Sequence, residues 1–175
     1  MNEPISNSRI FHKTFMDSEK AAFVRSGFMA LLHHLPAETT ALWGKMNAQQ
    51  MVEHVTGFFL VSIDKLHFPL VTPEEHLPKF KEFLLSDKSF RENTKAPVLP
   101  EEPFPVREQN LHDAIHQLDK TIKAFFDYFS ADPEKTTRHP VFGWLNFDEW
   151  ILLHYKHVAH HARQFGLLPR EERLP

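Results

Sequence analysis

Four histidines fall within eight consecutive positions: His154, His157, His160 and His161. The surrounding stretch, Trp150 to Phe165, has helical character, and a helix advances about 100° per residue. His154, His157 and His161 therefore share a face within roughly 60°, with Trp150 beside them, and His160 points to the side. Two imidazoles at i and i+4 reach one point above a helix and can chelate one ion. The chemistry implied is that of a divalent metal. Spacing alone leaves open which of His154 and His157 joins His161. It also leaves His154 open as a ligand, a donor behind a ligand, or a substrate contact.

A third ligand has to come from a facing element, and His54 is the candidate. Its helix face carries Gln50, Met51, Phe58 and Val61, mostly apolar, which directs His54 inward. Gly57 lies one turn on, where a missing side chain leaves room for a substrate. The expected pocket is lined by Gly57, Phe58, Trp150 and His154. Three histidines with an open fourth position are a catalytic rather than a structural arrangement. Imidazole-only ligation suits zinc or nickel, with iron as a further option. Metal affinity would fall as pH drops through roughly 6.5, because ligands must be neutral. His12, His33, His34, His67, His76, His112, His116 and His139 read as ordinary surface or core residues. The pair His112 and His116 shows that a chain with thirteen histidines produces i,i+4 spacing by chance.

The elements that would position these residues are helices. Apolar residues recur at helical spacing through Val24, Phe28, Leu31 and Leu35, stopped by Pro36. Asn47-Ala-Gln-Gln50 and Asn146-Phe-Asp-Glu149 read as capping boxes opening two further helices. Another follows Pro105 and carries Leu111, Ile115, Leu118, Ile122, Phe125 and Phe129. Helices are expected near 17–35, 47–66, 107–130 and 147–165. Phe28, Leu31, Val55, Phe58, Leu118, Ile122, Phe125 and Val158 should form the core, with Trp43, Trp144 and Trp150 as apolar anchors. Few β-branched alternating runs appear, so no strands are expected. Between the second and third helices, Phe68 to Pro105 holds Pro69, Pro73, Pro78, Pro97, Pro100, Pro103 and Pro105, seven of the thirteen prolines. A short extra helix from Thr72 to Leu85 fits there, followed by an extended loop over 91–105. The fold class expected is all-α: an up-down-down-up four-helix bundle with one long connection, as a single domain over 1–175.

Composition removes other function classes. With 175 residues, a core needs no disulfide or structural metal. There is no cysteine, which excludes thiolate zinc sites and cysteine nucleophiles. A net charge of −3 argues against nucleic acid and anionic membrane as partners. No apolar run reaches the roughly 18 residues of a membrane span, and the start lacks a secretory signal pattern. A cytoplasmic protein is expected. His157-Val-Ala-His160-His161 is not the zinc-protease pattern, because valine replaces its glutamate and the second histidine is displaced.

Three segments together resemble a known family. They are Trp43-Gly-Lys-Met-Asn-Ala-Gln-Gln-Met51-Val-Glu-His54, His139-Pro-Val-Phe-Gly143, and His157-Val-Ala-His160-His161-Ala-Arg163-Gln164-Phe165-Gly166. In order and spacing they are similar to the DinB-like superfamily over about residues 15–168. The resemblance implies a four-helix bundle with one ligand histidine on the second helix and an H-x-x-x-H pair on the last. It thereby selects His54, His157 and His161 as metal ligands. Arg163 departs from the pattern, since Ala162 stands where many relatives have arginine. The resemblance implies transfer of a low-molecular-weight thiol to an electrophilic small molecule, with hydrolysis as the neighbouring chemistry. The alternative class is a non-catalytic metal-binding or stress-associated bundle. The partner expected is a small-molecule substrate, and a homodimer is left open.

Overall fold

A computed structural model describes residues 19–170. The protein is mainly helical, with one two-stranded sheet among these residues. A π-helical turn, Phe23–Gly27, runs into α1 (Phe28–Leu32). Then come α2 (Ala48–Ser62), a 3-10 turn (Glu74–His76), α3 (Leu77–Leu85) and α4 (Leu111–Ser130). Strands β1 (Thr137–His139) and β2 (Gly143–Leu145) form an antiparallel pair that leads into α5 (Phe147–Gln164).

The helix starts follow from side-chain chemistry. Asn47 accepts from the Gln50 amide at 2.8 Å while Gln50 Oε1 accepts from the Asn47 amide at 3.0 Å. Asn146 and Glu149 repeat this at α5. Both capping boxes satisfy amide groups that a helix start leaves unpaired. Asn110 caps α4 through the Asp113 amide, so α4 begins at Leu111 rather than near 107. α2 stops at Ser62, short of 66, and Asp64 takes a φ of 60° just beyond. The first helix was expected to start near Asp17, which lies outside the described residues. Its middle is a widened π turn, and the helix closes at Leu32, before Pro36.

Apolar stripes of α2, α4 and α5 meet in one core. Met51, Val55 and Phe59 join Leu118, Ile122 and Phe125, and Trp150, Leu153 and Val158 close the third side, beside Phe28 and Leu32 of α1. Leu31 and Phe58, expected in the core, are only partly buried. The hairpin was not anticipated, because three-residue strands are too short to show alternation. Its register pairs His139 with Gly143 and Thr137 with Leu145, turning all four inward and Arg138 and Trp144 outward. Trp144 is therefore 63% exposed and anchors no core.

Two buried charges pin the ends of the connection between α3 and α4. The Lys156 ammonium donates to the carbonyls of Ser86 and Lys88 at 2.5 and 2.6 Å, just past the end of α3. The Glu53 carboxylate accepts from the amides of Arg107 and Glu108 at 2.8 and 3.1 Å, and from Gln49 Nε2 at 3.0 Å. Burial alone would raise the Glu53 pKa, but the hydrogen bonds from Glu108, Gln49 and Arg107 outweigh it, and the carboxyl sits below its usual range. Glu53→Ala strands two amides, and a loss of about 2–3 kcal/mol is expected from the charge-assisted bonds removed. Urea unfolding should register this, with limited proteolysis at 91–105 accelerating while helicity is kept. Unchanged proteolysis would show that the connection is held by something else.

Candidate metal centre

α2 and α5 run antiparallel, so the start of α2 faces the end of α5. His54 meets His157 and His161, Phe58 meets His154 and His157, and Ser62 meets His154. His54 Nε2 lies 2.9 Å from His157 Nε2, which lies 3.0 Å from His161 Nε2. All three nitrogens fall within 4.8 Å of one another. Two imidazoles on one zinc-like ion, each bound at about 2.0–2.1 Å, are separated by at most about 4.2 Å. The His54–His157 and His157–His161 pairs satisfy that limit.

With neutral rings, one proton at most lies between the three converging nitrogens. Gln164 Nε2 donates to the Trp43 carbonyl at 2.8 Å, so its Oε1 must be the atom 2.7 Å from His161 Nδ1. A carbonyl oxygen only accepts, hence Nδ1 carries the proton and His161 Nε2 presents a lone pair. A proton on His157 Nε2 can serve one of its two short contacts well. The other is left a weaker, bifurcated share of the same proton. A cation at the convergence point satisfies all three lone pairs, and this donor set fits a divalent metal held by His54, His157 and His161. His157 Nδ1 is buried without a hydrogen-bond partner.

The expected pocket residues separate into two groups. A Cβ built on Gly57 meets no atom within 4 Å, so space opens beside the partly exposed His54. Phe58 is partly exposed and leans on His157 with ring centroids 4.2 Å apart. Trp150 and His154, by contrast, are completely buried and line no opening. His154 stacks on Phe59 at 3.7 Å and 6°, and its Nε2 meets Ser62 Oγ at 3.0 Å. Ser62 Oγ donates to the Phe59 carbonyl at 2.7 Å, so it accepts from His154. His154 is a neutral core residue, and Ser62, also sealed, is no nucleophile. His160 packs edge-on to Trp43 and to His161. Lys156, which the sequence places beside the ligand face, is committed to the carbonyls past α3.

His139, read from the sequence as an ordinary surface or core residue, is buried. His139 sits on β1 against Phe58, Phe142 and Trp150. Its ring accepts the Val141 and Phe142 amides of the turn that joins the two strands.

Comparison with protein families places the chain. The family model described as Protein of unknown function (DUF1569) matches residues 80–167. The chain belongs to this family. No curated protein and no solved structure matched it. The DUF1569 match spans most of α3, all of α4, the hairpin and α5, and so contains His139, His157 and His161 but not His54. Among the described residues no helix is long and apolar enough to cross a membrane.

Burial governs the protonation of the cluster. It pushes His54 down to about 4, with the charge of His160 adding to the effect, and holds His157 and His161 well below the ordinary imidazole range. Burial also lowers His139, to about 3, and His154. This corrects the expectation that metal affinity falls through pH 6.5, since the folded ligands stay neutral well below it. Metal affinity, measured by chelator competition, should change little between pH 7.5 and 5.5. In the unfolded chain the same rings protonate near 6.5, so the unfolded state binds more protons below that pH. Stability is full above about 6.5 and falls as pH drops toward 4, by up to about 1.4 kcal/mol per pH unit for each ring. Melting temperatures taken stepwise from pH 7 to 4.5 should fall steeply, and His154→Phe should flatten the slope. A level profile would contradict the buried neutral state.

Proposed function

We propose that this chain is a metal-dependent enzyme, built as an up-down-down-up four-helix bundle of DinB-like type, that transfers a low-molecular-weight thiol to an electrophilic small molecule. The observation that carries the metal is the convergence of three imidazole nitrogens within 4.8 Å, which neutral rings join only by sharing one proton. Zinc, nickel or iron suits an all-imidazole set. A bound divalent ion would lower the pKa of a thiol and act as Lewis acid.

The chain's own residues supply the rest. Gln164, held by the Trp43 carbonyl, fixes the His161 tautomer so that its Nε2 faces the cluster. Phe58 covers His157 with a hydrocarbon face and excludes water there. Gly57 leaves the opening through which a small molecule reaches His54. Glu53, the carboxylate next to His54, is consumed by backbone amides and does not serve as a base. The sulfur forms the new bond to the electrophilic carbon, the leaving group departs with its electron pair, and the thiol proton passes to water.

Two measurements test this reading. Elemental analysis of protein purified without an affinity tag should find about one divalent ion per chain. His157→Ala combined with His161→Ala should abolish it with little change in circular dichroism. Equal metal content in the double variant would reject the ligand set.

The metal-replete protein should conjugate a test electrophile with a bacterial low-molecular-weight thiol, and chelation should stop turnover. Gly57→Leu should reduce kcat/KM by about tenfold or more, through a blocked approach worth about 1.4 kcal/mol. Metal uptake without metal-dependent turnover across several thiols and electrophiles would leave a metal-binding protein rather than an enzyme.

A further inference from the structure

The hairpin delivers a histidine that the chemistry above does not use. His139 Nδ1 accepts the amides of Val141 and Phe142 at 3.0 and 3.2 Å. A nitrogen that accepts carries no proton, so the neutral ring is locked as the Nε2–H tautomer. Among the described residues no acceptor meets that N–H. The ring cannot turn to find one, because it is wedged between Phe58, Phe142 and Trp150 at centroid distances of 5.4, 5.1 and 5.6 Å. Nε2 is not among the fully buried polar atoms without a partner, so the N–H stands open to an incoming acceptor. It is not sealed, since His139 keeps 6% of its surface exposed.

A structural role alone does not account for the residue type. An asparagine or aspartate oxygen caps a turn by accepting the same two amides. Histidine does this with one nitrogen and adds a second on the far side of the ring. Phe58 touches both His139 and His157, so the His139 ring and the histidine cluster are neighbours across one phenyl ring. We propose that His139 is a substrate-binding residue of this site: a fixed, neutral hydrogen-bond donor for a carboxylate or carbonyl oxygen on the thiol held at the three histidines. The proposal rests on the metal and thiol reading of the cluster.

The test uses the full chain loaded with Co(II), whose charge-transfer absorption reports thiolate binding. The probes are 3-mercaptopropionate, which carries the oxygen acceptor, and propane-1-thiol, which lacks it. His139→Asn keeps the turn cap and deletes the far donor. It should weaken 3-mercaptopropionate about tenfold, the worth of one hydrogen bond, and leave cobalt uptake and propane-1-thiol binding unchanged. His139→Gln, which can place an N–H near the lost Nε2, should recover part of the affinity. Equal 3-mercaptopropionate affinity in wild type and His139→Asn would overturn the proposal. Should the variants fail to fold, long-range 1H–15N imidazole spectra of the zinc-loaded wild type decide. The His139 Nε2–H resonance should move with 3-mercaptopropionate and stay with propane-1-thiol, and an unmoved resonance overturns the proposal. Absence of cobalt uptake would instead defeat the reading of the cluster. His139 is then judged by the same spectra of the metal-free chain with sodium propionate, where a shift supports its role as an oxygen-binding donor and no shift rejects it.

Discussion

The site depends on a fixed register between α2 and α5, and a short run of buried hydrogen bonds sets it. Trp150 Nε1 donates to Thr137 Oγ1, which donates to the Ser62 carbonyl, while Ser62 Oγ takes the proton of His154. These bonds join the end of α2, the hairpin and the start of α5 in dry surroundings, where leaving any of them unmade is costly. A slip of one residue along either helix would turn its ligands about 100° away from the partner. The aromatic stack around His154 resists such a slip, and the three Nε2 atoms meet two turns further along as a consequence.

The charges that flank the ligands are kept away from them. Glu53 precedes His54 and Lys156 precedes His157, yet one carboxylate and one ammonium both face the long connection and hold its two ends. The cluster is left with neutral nitrogens only. Burial then keeps those nitrogens unprotonated at pH values where free imidazole is charged. The same burial that would keep the cluster open to a cation is what should make stability fall in acid.

Much of this was legible from residue types. Asn47 with Gln50, and Asn146 with Glu149, encode two helix starts in side chains, and both boxes are formed. The stripe through Leu118, Ile122 and Phe125 marks the buried face of α4. The i,i+4 pair His157 and His161 was visible as spacing, and resemblance chose it over His154. Spacing could not make that choice, because His154 shares the face. What decides is the phenyl ring of Phe59 lying flat on His154, a contact from another helix. The hairpin and His139 were hidden for a related reason. Three-residue strands carry no periodic signal, and a histidine accepting two amides of its own turn looks like any other histidine until the turn is drawn.

Gly44 shows how far the control of one proton reaches. Its φ is +80°, and a Cβ there would stand 2.7 Å from Gln164 Nε2. That amide nitrogen must reach the Trp43 carbonyl for Gln164 to turn its oxygen to His161. A single added methyl at Gly44 would crowd the amide from the direction of the chain that orients it. An absent side chain in the loop ahead of α2 thus helps decide which nitrogen of a ring on α5 bears hydrogen, so the electronic state of the cluster is written partly in empty space.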